Sequence, residues 1–315
     1  GGRSVILLGM TSRSVEIVPC PPAMSLDALA VVLSDLTPEQ RREFAPTTPG
    51  QPVEALVVAL EGGQLCGAAW GQRQPGSTAI FWPPRMTAGA DPVTASRLAC
   101  AAVAALDAAG IRMTQVLLTD CKAPVVAVLE SAGFVRLSEL LYLSWEAAAL
   151  PILPVVTLEF ETFHDSQRDR LVELIEETYE ATQDCAALNG KRPMDEVLDG
   201  YRATGTFRPE NWLIVRAAGQ DIGVLLLADH CAANHRELLY MGLAPSARGQ
   251  RFGCQVVRHA QHLAQAAGVE RIVLAVDAEN LPAIKMYNET GFTVWDRRTV
   301  FLRCVAEESR KQESP

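Results

Sequence analysis

The residues best able to do chemistry stand together in Leu243-Ala244-Pro245-Ser246-Ala247-Arg248-Gly249-Gln250-Arg251-Phe252-Gly253-Cys254. A strand end, a glycine-containing turn and a helix start follow one another there. That order aims several backbone N–H groups and the positive end of a helix at one spot, which suits a phosphate or pyrophosphate. Glycines serve such a site because the ligand must approach the backbone closely. The same pattern also suits a plain helix start after a tight turn. Other chemistry has less support. His259 and His262 share a predicted helix at i,i+3, a spacing that can hold a metal, but no Cys, Asp or Glu takes a convincing third position. No metal is therefore expected. The eight cysteines are scattered without a C-x-x-C pair and read as reduced cytosolic thiols rather than a disulfide frame.

A loop of this kind needs a sheet to hold it, and the chain supplies one twice. Leu106-Asp107-Ala108-Ala109-Gly110-Ile111 is echoed by Ala264-Gln265-Ala266-Ala267-Gly268-Val269, Pro124 by Pro282, and Gly133-Phe134 by Gly291-Phe292, each at an offset of 158 residues. Such a repeat implies two copies of one fold. They join near Ala147-Ala148-Ala149-Leu150-Pro151-Ile152-Leu153-Pro154, where two prolines interrupt regular structure.

In the second copy, Val155 to Phe160 alternates like a strand. Asp165-Ser166-Gln167 opens a helix with Leu171, Leu174, Ile175 and Thr178 on one face. A short helix covers Met194 to Arg202. Trp212 to Ala217 and Ile222 to Asp229 form a hairpin around Gly219-Gln220. Glu237 to Leu243 is the next strand. A helix follows through Phe252, Val256, Val257, Ala260, Leu263, Ala264 and Ala267, then a buried strand from Arg271 to Val276. Asn280 caps a helix with Pro282 in its first turn, Gly291 ends it, and Thr293 to Val305 supplies closing strands. The expected architecture is α/β, a mixed and mostly antiparallel sheet with one strand–helix–strand crossover.

Bulk properties narrow the function classes. The chain has 315 residues, enough for two domains, and 49% hydrophobic residues, enough for two cores. A net charge of −9 argues against nucleic acid and suits an amine partner. No apolar run reaches the ~18 residues that a membrane-crossing helix needs, and no signal-peptide pattern opens the sequence.

The stretch Leu243 to Cys254, followed by Asn280-Leu281-Pro282-Ala283-Ile284-Lys285-Met286-Tyr287 and Gly291-Phe292, resembles the GCN5-related N-acetyltransferase (GNAT) family. That family carries Q/R-x-x-G-x-G/A in its loop and N-x-x-A-x-x-x-Y with G-F after it. Arg248, Gly253, Asn280, Ala283, Tyr287, Gly291 and Phe292 match. Arg251 departs, because it takes the middle glycine position. The strong resemblance runs from about Glu237 to Phe292. It implies acetyl-CoA as co-substrate, its pyrophosphate held by the N–H groups of Gly249, Gln250, Arg251, Phe252, Gly253 and Cys254. Met241, Gly242 and Leu243 would pair with the pantetheine arm and orient the thioester carbonyl. Tyr287 is the implied general acid for the departing thiolate. Glu237 is the implied general base, with Asp277 and His230 as weaker substitutes. The segment from Asp184 to Arg192 would help form the acceptor site, and Glu180, Asp184 and Asn189 could receive a cationic substrate. An ordinary polar loop reads equally well from these residues.

The first copy lacks these features. No glycine stands from Ala90 to Ala95, Leu129 takes the place of Tyr287, and Lys122 that of Asn280. The helix from about Ala95 to Ala109 keeps only core patterning through Leu98, Ala102, Ala105, Leu106 and Ala109. The expectation is two tandem GNAT folds, a degenerate one in residues 1–149 and an acetyltransferase domain in residues 150–315. The second transfers acetyl from acetyl-CoA to a small-molecule amine by direct attack, in a cytoplasmic monomer or homodimer without nucleic acid or membrane partners. The alternative is a non-catalytic acyl-CoA-binding or sensor module, which would need the loop but not the acid and base. A dinucleotide-binding enzyme is disfavoured because G-x-G-x-x-G is missing.

Overall fold

The computed structural model describes residues 14–42, 44, 51–87, 91–147, 152–184 and 192–305. Of the positions read above, Ala90, Cys185, Asn189 and the centre of the join, 148–151, lie outside the described residues. The first half runs β1 (Val15–Pro19), α1 (Ser25–Val32), α2 (Pro38–Arg42), β2 (Leu56–Glu61), β3 (Gln64–Gln74), β4 (Thr78–Met86), α3 (Pro92–Ala108), β5 (Met113–Leu118), α4 (Ala123–Ser131) and β6 (Val135–Glu146). The second runs β7 (Glu159–Thr162), α5 (Arg168–Tyr179), α6 (Met194–Ala203), β8 (Trp212–Ala217), β9 (Gln220–His230), β10 (His235–Leu243), α7 (Phe252–Ala266), β11 (Arg271–Asp277), α8 (Leu281–Glu289) and β12 (Thr293–Cys304). An offset of 158 residues carries α4 onto α8 and β6 onto β12 residue for residue.

Local chemistry explains most boundaries. Leu171, Leu174, Ile175 and Thr178 are the buried stripe of α5. Asn280 Oδ1 accepts the Ala283 N–H at 3.2 Å to cap α8, with Pro282 in the first turn. The β8–β9 hairpin closes one residue earlier than its Gly219-Gln220 signal. Ala217 pairs with Gln220, and Ala218 and Gly219 make the turn with φ of +48° and +77°, matching the twist of the flanking strands.

All twelve strands form one sheet in the order β1-β2-β3-β4-β5-β12-β6-β11-β10-β9-β8-β7. Pairing is antiparallel except at β4–β5 and β10–β11. The closing segment, expected as more than one strand, is the single long β12, and the halves exchange their last strands. β12 pairs with β5 of the first half, while β6 pairs with β11 of the second. Each half is thus completed by the other.

The face under α7 and α8 is buried: Leu141, Leu143 and Trp145 of β6 pack with Ile272, Leu274 and Val276 of β11, and with Tyr287 and Phe292. On the opposite face α5 covers the outer strands, with Leu171, Leu174 and Ile175 against Ile214, Val224 and Leu226. There the central positions Tyr142, Ser144, Val273 and Ala275 are at least partly exposed. An antiparallel sheet can keep one face wet in this way.

Two further boundaries differ from the sequence reading. The strand expected over Val155 to Phe160 lies instead at Glu159–Thr162, where β7 finds its partner β8. Helix α3 begins at Pro92, because the Asp91 side chain accepts the Val93 N–H at 3.1 Å and caps it there. No helix among the described residues is long and apolar enough to cross a membrane, and no three metal-ligating side chains cluster among them.

Candidate active site

β10 and β11 stay paired only from His235–Glu237 against Arg271–Val273. A bulge then shifts the register of β10 against β9 between Leu238 and Tyr240, and the two parallel strands part. Bulges re-aim strands in this way. The gap is a cleft of about 520 Å³, walled by the ends of β10 and β11, the loop into α7, the N-terminal turn and inner face of α8, and the segment after α5. Every cofactor-binding candidate except Gln250 lines it, as do Tyr287 and Asp184. Gln250 instead donates its amide to Ser246 O at 2.9 Å and braces the turn.

One end of the cleft presents backbone N–H groups that lack a backbone acceptor. Among the described residues, no backbone acceptor takes the N–H of Gly249, Gln250, Arg251, Phe252, Gly253 or Cys254. Gly249 has φ +77° and nothing within 4 Å of where a Cβ would lie, so a ligand can reach the backbone there. Arg251, standing where the family motif has glycine, caps α7 in the left-handed region with φ +62°. Its side chain is exposed and lies 3.6 Å from Glu289. Gly253 answers a different need, since a Cβ there would meet Met286 Sδ at 2.5 Å; it lets α7 approach α8. Lys285, quoted in the sequence reading without a role, and Glu289, absent from it, also line this end. Their i,i+4 spacing on α8 was the available signal.

Arg248 does not project into solvent. Its guanidinium donates to Leu243 O (3.0 Å), Glu180 O (2.7 Å), Ala181 O (3.2 Å) and Thr178 O (2.9 Å). It therefore ties the loop to the carbonyls that the end of α5 leaves unpaired. Glu180 contributes that carbonyl, while its side chain points to solvent rather than lining the cleft.

Deeper in the cleft, Tyr287 is buried against Phe292, with ring centroids 5.5 Å apart. Burial, and secondarily the Asp184 carboxylate, push its phenol well above the ordinary tyrosine value, so the proton stays on at neutral pH. Asp184 accepts the Asp277 N–H at 3.0 Å, and Asn280 also bonds its side chain. Part of Asp184 faces solvent, yet desolvation at the cleft wall, with Asp277 nearby, raises its pKa. Tyr240 and Thr178 form a further wall that the sequence reading missed, their hydroxyls 2.6 Å apart. Gly242 is required beside them, because a Cβ would fall 2.5 Å from Thr178 Oγ1.

Glu237 lies outside the cleft lining, on the half-open face that also carries Tyr142. Its Oε2 is 2.9 Å from His230 Nε2. The two groups implied as acid and base thus reach the parted strands from opposite faces of the sheet.

The first half has the same parted strands, and its described residues place none of these groups beside them. β4 and β5 pair only from Thr78–Ile80 against Met113–Gln115, which puts Ile80 where Glu237 stands. Leu129, in the place of Tyr287, is fully buried. Pro83 and Pro84 remove N–H donors from the end of β4. At the start of α3, the Asp91 carboxylate accepts both the Val93 N–H and the Thr94 hydroxyl. The helix end open to an anion in the second half is here filled by the chain's own carboxylate.

Residues 170–292 match the model of the acetyltransferase (GNAT) family, so this stretch, which includes the loop, the cleft and α8, is a domain of that family. The chain is 35% identical over 66 residues to a mycothiol acetyltransferase of Corynebacterium glutamicum (strain R), covering 21% of this chain and 23% of the relative. A mycothiol acetyltransferase of Paenarthrobacter aurescens is 30% identical over 110 residues, 33% of this chain and 34% of the relative. These matches span well under two thirds of either relative. Among solved structures, a GCN5-related N-acetyltransferase from Sphaerobacter thermophilus aligns over 92% of this chain and 95% of its own, with TM-score 0.62 and 15% identity. A tandem GNAT protein from the clavulanic acid biosynthesis pathway aligns over 92% and 98%, with TM-score 0.52 and 13% identity. At that identity the likeness is one of fold.

Proposed function

We propose that the second half transfers the acetyl group of acetyl-CoA to a small-molecule amine by direct attack, and that the first half is a degenerate copy supporting it. One observation carries this reading. The parted end of β10, the backbone of Gly249 and of Arg251 to Cys254 with no backbone acceptor on its N–H groups, and a protonated Tyr287 line one cleft.

These residues fit acetyl-CoA, which when bound supplies an acetyl thioester. The N–H groups at the start of α7 hold its pyrophosphate. The end of β10, Met241 to Leu243, pairs with the pantetheine arm and offers N–H to the thioester carbonyl, where negative charge develops. Glu237 accepts the proton that the ammonium must lose before its nitrogen attacks, directly or through water. The new N–C bond forms as the C–S bond breaks, Tyr287 gives its phenol proton to the leaving sulfur, and the second proton, shed by the acylated nitrogen, restores the phenol through water. Asp184, at the cleft wall, attracts the cationic acceptor. Reduced thiols and the use of acetyl-CoA favour a cytoplasmic setting.

Release of free CoA from acetyl-CoA, measured against a panel of amines headed by mycothiol-related ones, tests the proposal. Release with at least one amine and not without amine is expected. Tight acetyl-CoA binding with no release on any amine would favour a sensor module instead.

A further inference from the structure

We propose that His230 is the positioning residue for the base, an inference that rests on the acetyl-transfer reading and on the role of Glu237 within it. His230 ends β9 and Glu237 is near the start of β10. In their register His230 faces His235 and Ala228 faces Glu237, which makes His230 and Glu237 diagonal neighbours on one face. The 2.9 Å contact joins Nε2 to Oε2. An ionised carboxylate can only accept, so Nε2 carries the hydrogen and donates it.

The imidazole is held before any ligand arrives. His235 stacks on it with centroids 4.5 Å apart and planes 15° from parallel. Burial, then the neighbouring His230 and Arg271, lower the pKa of His235, so the stacked ring stays uncharged near neutral pH. From the loop after α6, Gly205 (φ +60°) gives the ring its room, since a Cβ there would lie 3.1 Å from both Cε1 and Nε2. The reciprocal bonds between Thr206 and Asp229 fix that loop against β9. A ring fixed on two sides in turn fixes Oε2, leaving Oε1 to receive the proton. Side chains 28% and 36% exposed gain little stability from pairing. What the contact supplies is orientation, and a small misplacement of a catalytic group can cost about 10²-fold in rate.

The experiment compares H230F, H230Q and E237Q with wild type in steady state, and reads the His230 tautomer at pH 8 by ¹⁵N NMR. Phe keeps a stacking ring without a donor, whereas Gln keeps an N–H near the Nε2 position. H230F is expected to lose about tenfold or more in kcat with the KM for acetyl-CoA unchanged, and H230Q to recover most of it. Wild-type His230 is expected as the Nε2–H tautomer, a readout that needs no turnover. A fall for E237Q without one for H230F would overturn the positioning role and leave the acetyl-transfer reading intact. H230Q no better than H230F would overturn it too, as would an Nδ1–H tautomer. Full turnover by E237Q would remove the base assignment and this inference with it.

Discussion

Tyr287→Phe removes one hydroxyl and keeps the ring that packs on Phe292. If the phenol protonates the leaving thiolate, kcat should fall about 10²-fold or more while acetyl-CoA affinity holds, the usual scale for losing a general acid. Near-wild-type turnover would end that role. Arg251 can be tested in two ways at once. With φ +62° it occupies a conformation that costs a non-glycine residue about 1 kcal/mol, and its pairing with Glu289 is exposed and worth little. Arg251→Gly should therefore raise stability to denaturant by up to about 1 kcal/mol. If the guanidinium meets a phosphate, the same change should weaken acetyl-CoA binding and flatten its salt dependence. Tighter binding by the glycine variant at low salt would show that the arginine only crowds the loop.

At the scale of elements, the outer edge of the second half is pinned by two guanidiniums, Arg170 and Arg216, of which Arg170 makes the shorter bonds. Arg170 of α5 donates to both oxygens of Asp221 on β9 (2.7 Å each) and to Glu161 on β7 (2.8 and 3.0 Å). Its hydrogen bonds hold both carboxyls below their ordinary pKa. A depressed folded-state pKa adds stability above the unfolded value, about 4, and that stability is lost as pH falls through the folded value. Wild-type stability should thus decline below about pH 4, and Arg170→Met should be less stable at pH 7 with a shallower decline. An unchanged acid slope, measured by urea unfolding from pH 7 to pH 2.5, would mean that other carboxylates govern acid stability.

Across the whole molecule the two halves are one sheet with unequal chemistry. Asp91 caps the helix start that corresponds to the proposed phosphate loop, Pro83 and Pro84 remove N–H donors from its strand, and Ile80 and Leu129 stand in the places of the proposed base and acid. Calorimetric titration should therefore count one acetyl-CoA per chain. A value near two would mean that the first half binds it by other means. Because β12 lies between β5 and β6, and β6 between β12 and β11, neither half keeps its closing strand if the other unfolds. Scanning calorimetry should then give a single cooperative transition. Two well-separated transitions would show that the exchange does not couple the halves.

The sequence determined what depends on near neighbours. The 3.6-residue stripes of α5 and α7, the Asn280 cap, the phosphate-type loop and the 158-residue repeat are all local patterns, and so was the placement of Tyr287 on the helix that ends at Gly291. The extent of β7 was not legible, because alternating residues mark a strand only where a partner is present to pair with it. The strand exchange was hidden for the same reason: β6 and β12 have matching lengths and repeat positions, so either could have closed either half. Only tertiary pairing decided that β12 completes the first half and β6 the second. Residues acting across the fold were likewise beyond sequence. Arg248 matched the motif, but its four carbonyl partners come mostly from the end of α5, some seventy residues earlier. Ile80 stands in for Glu237 only once two parallel pairings are set side by side, and His230 meets Glu237 only because a hairpin register makes them diagonal neighbours. Side-chain types are written residue by residue, whereas which of them meet depends on the register of strands that the chain brings together from far apart.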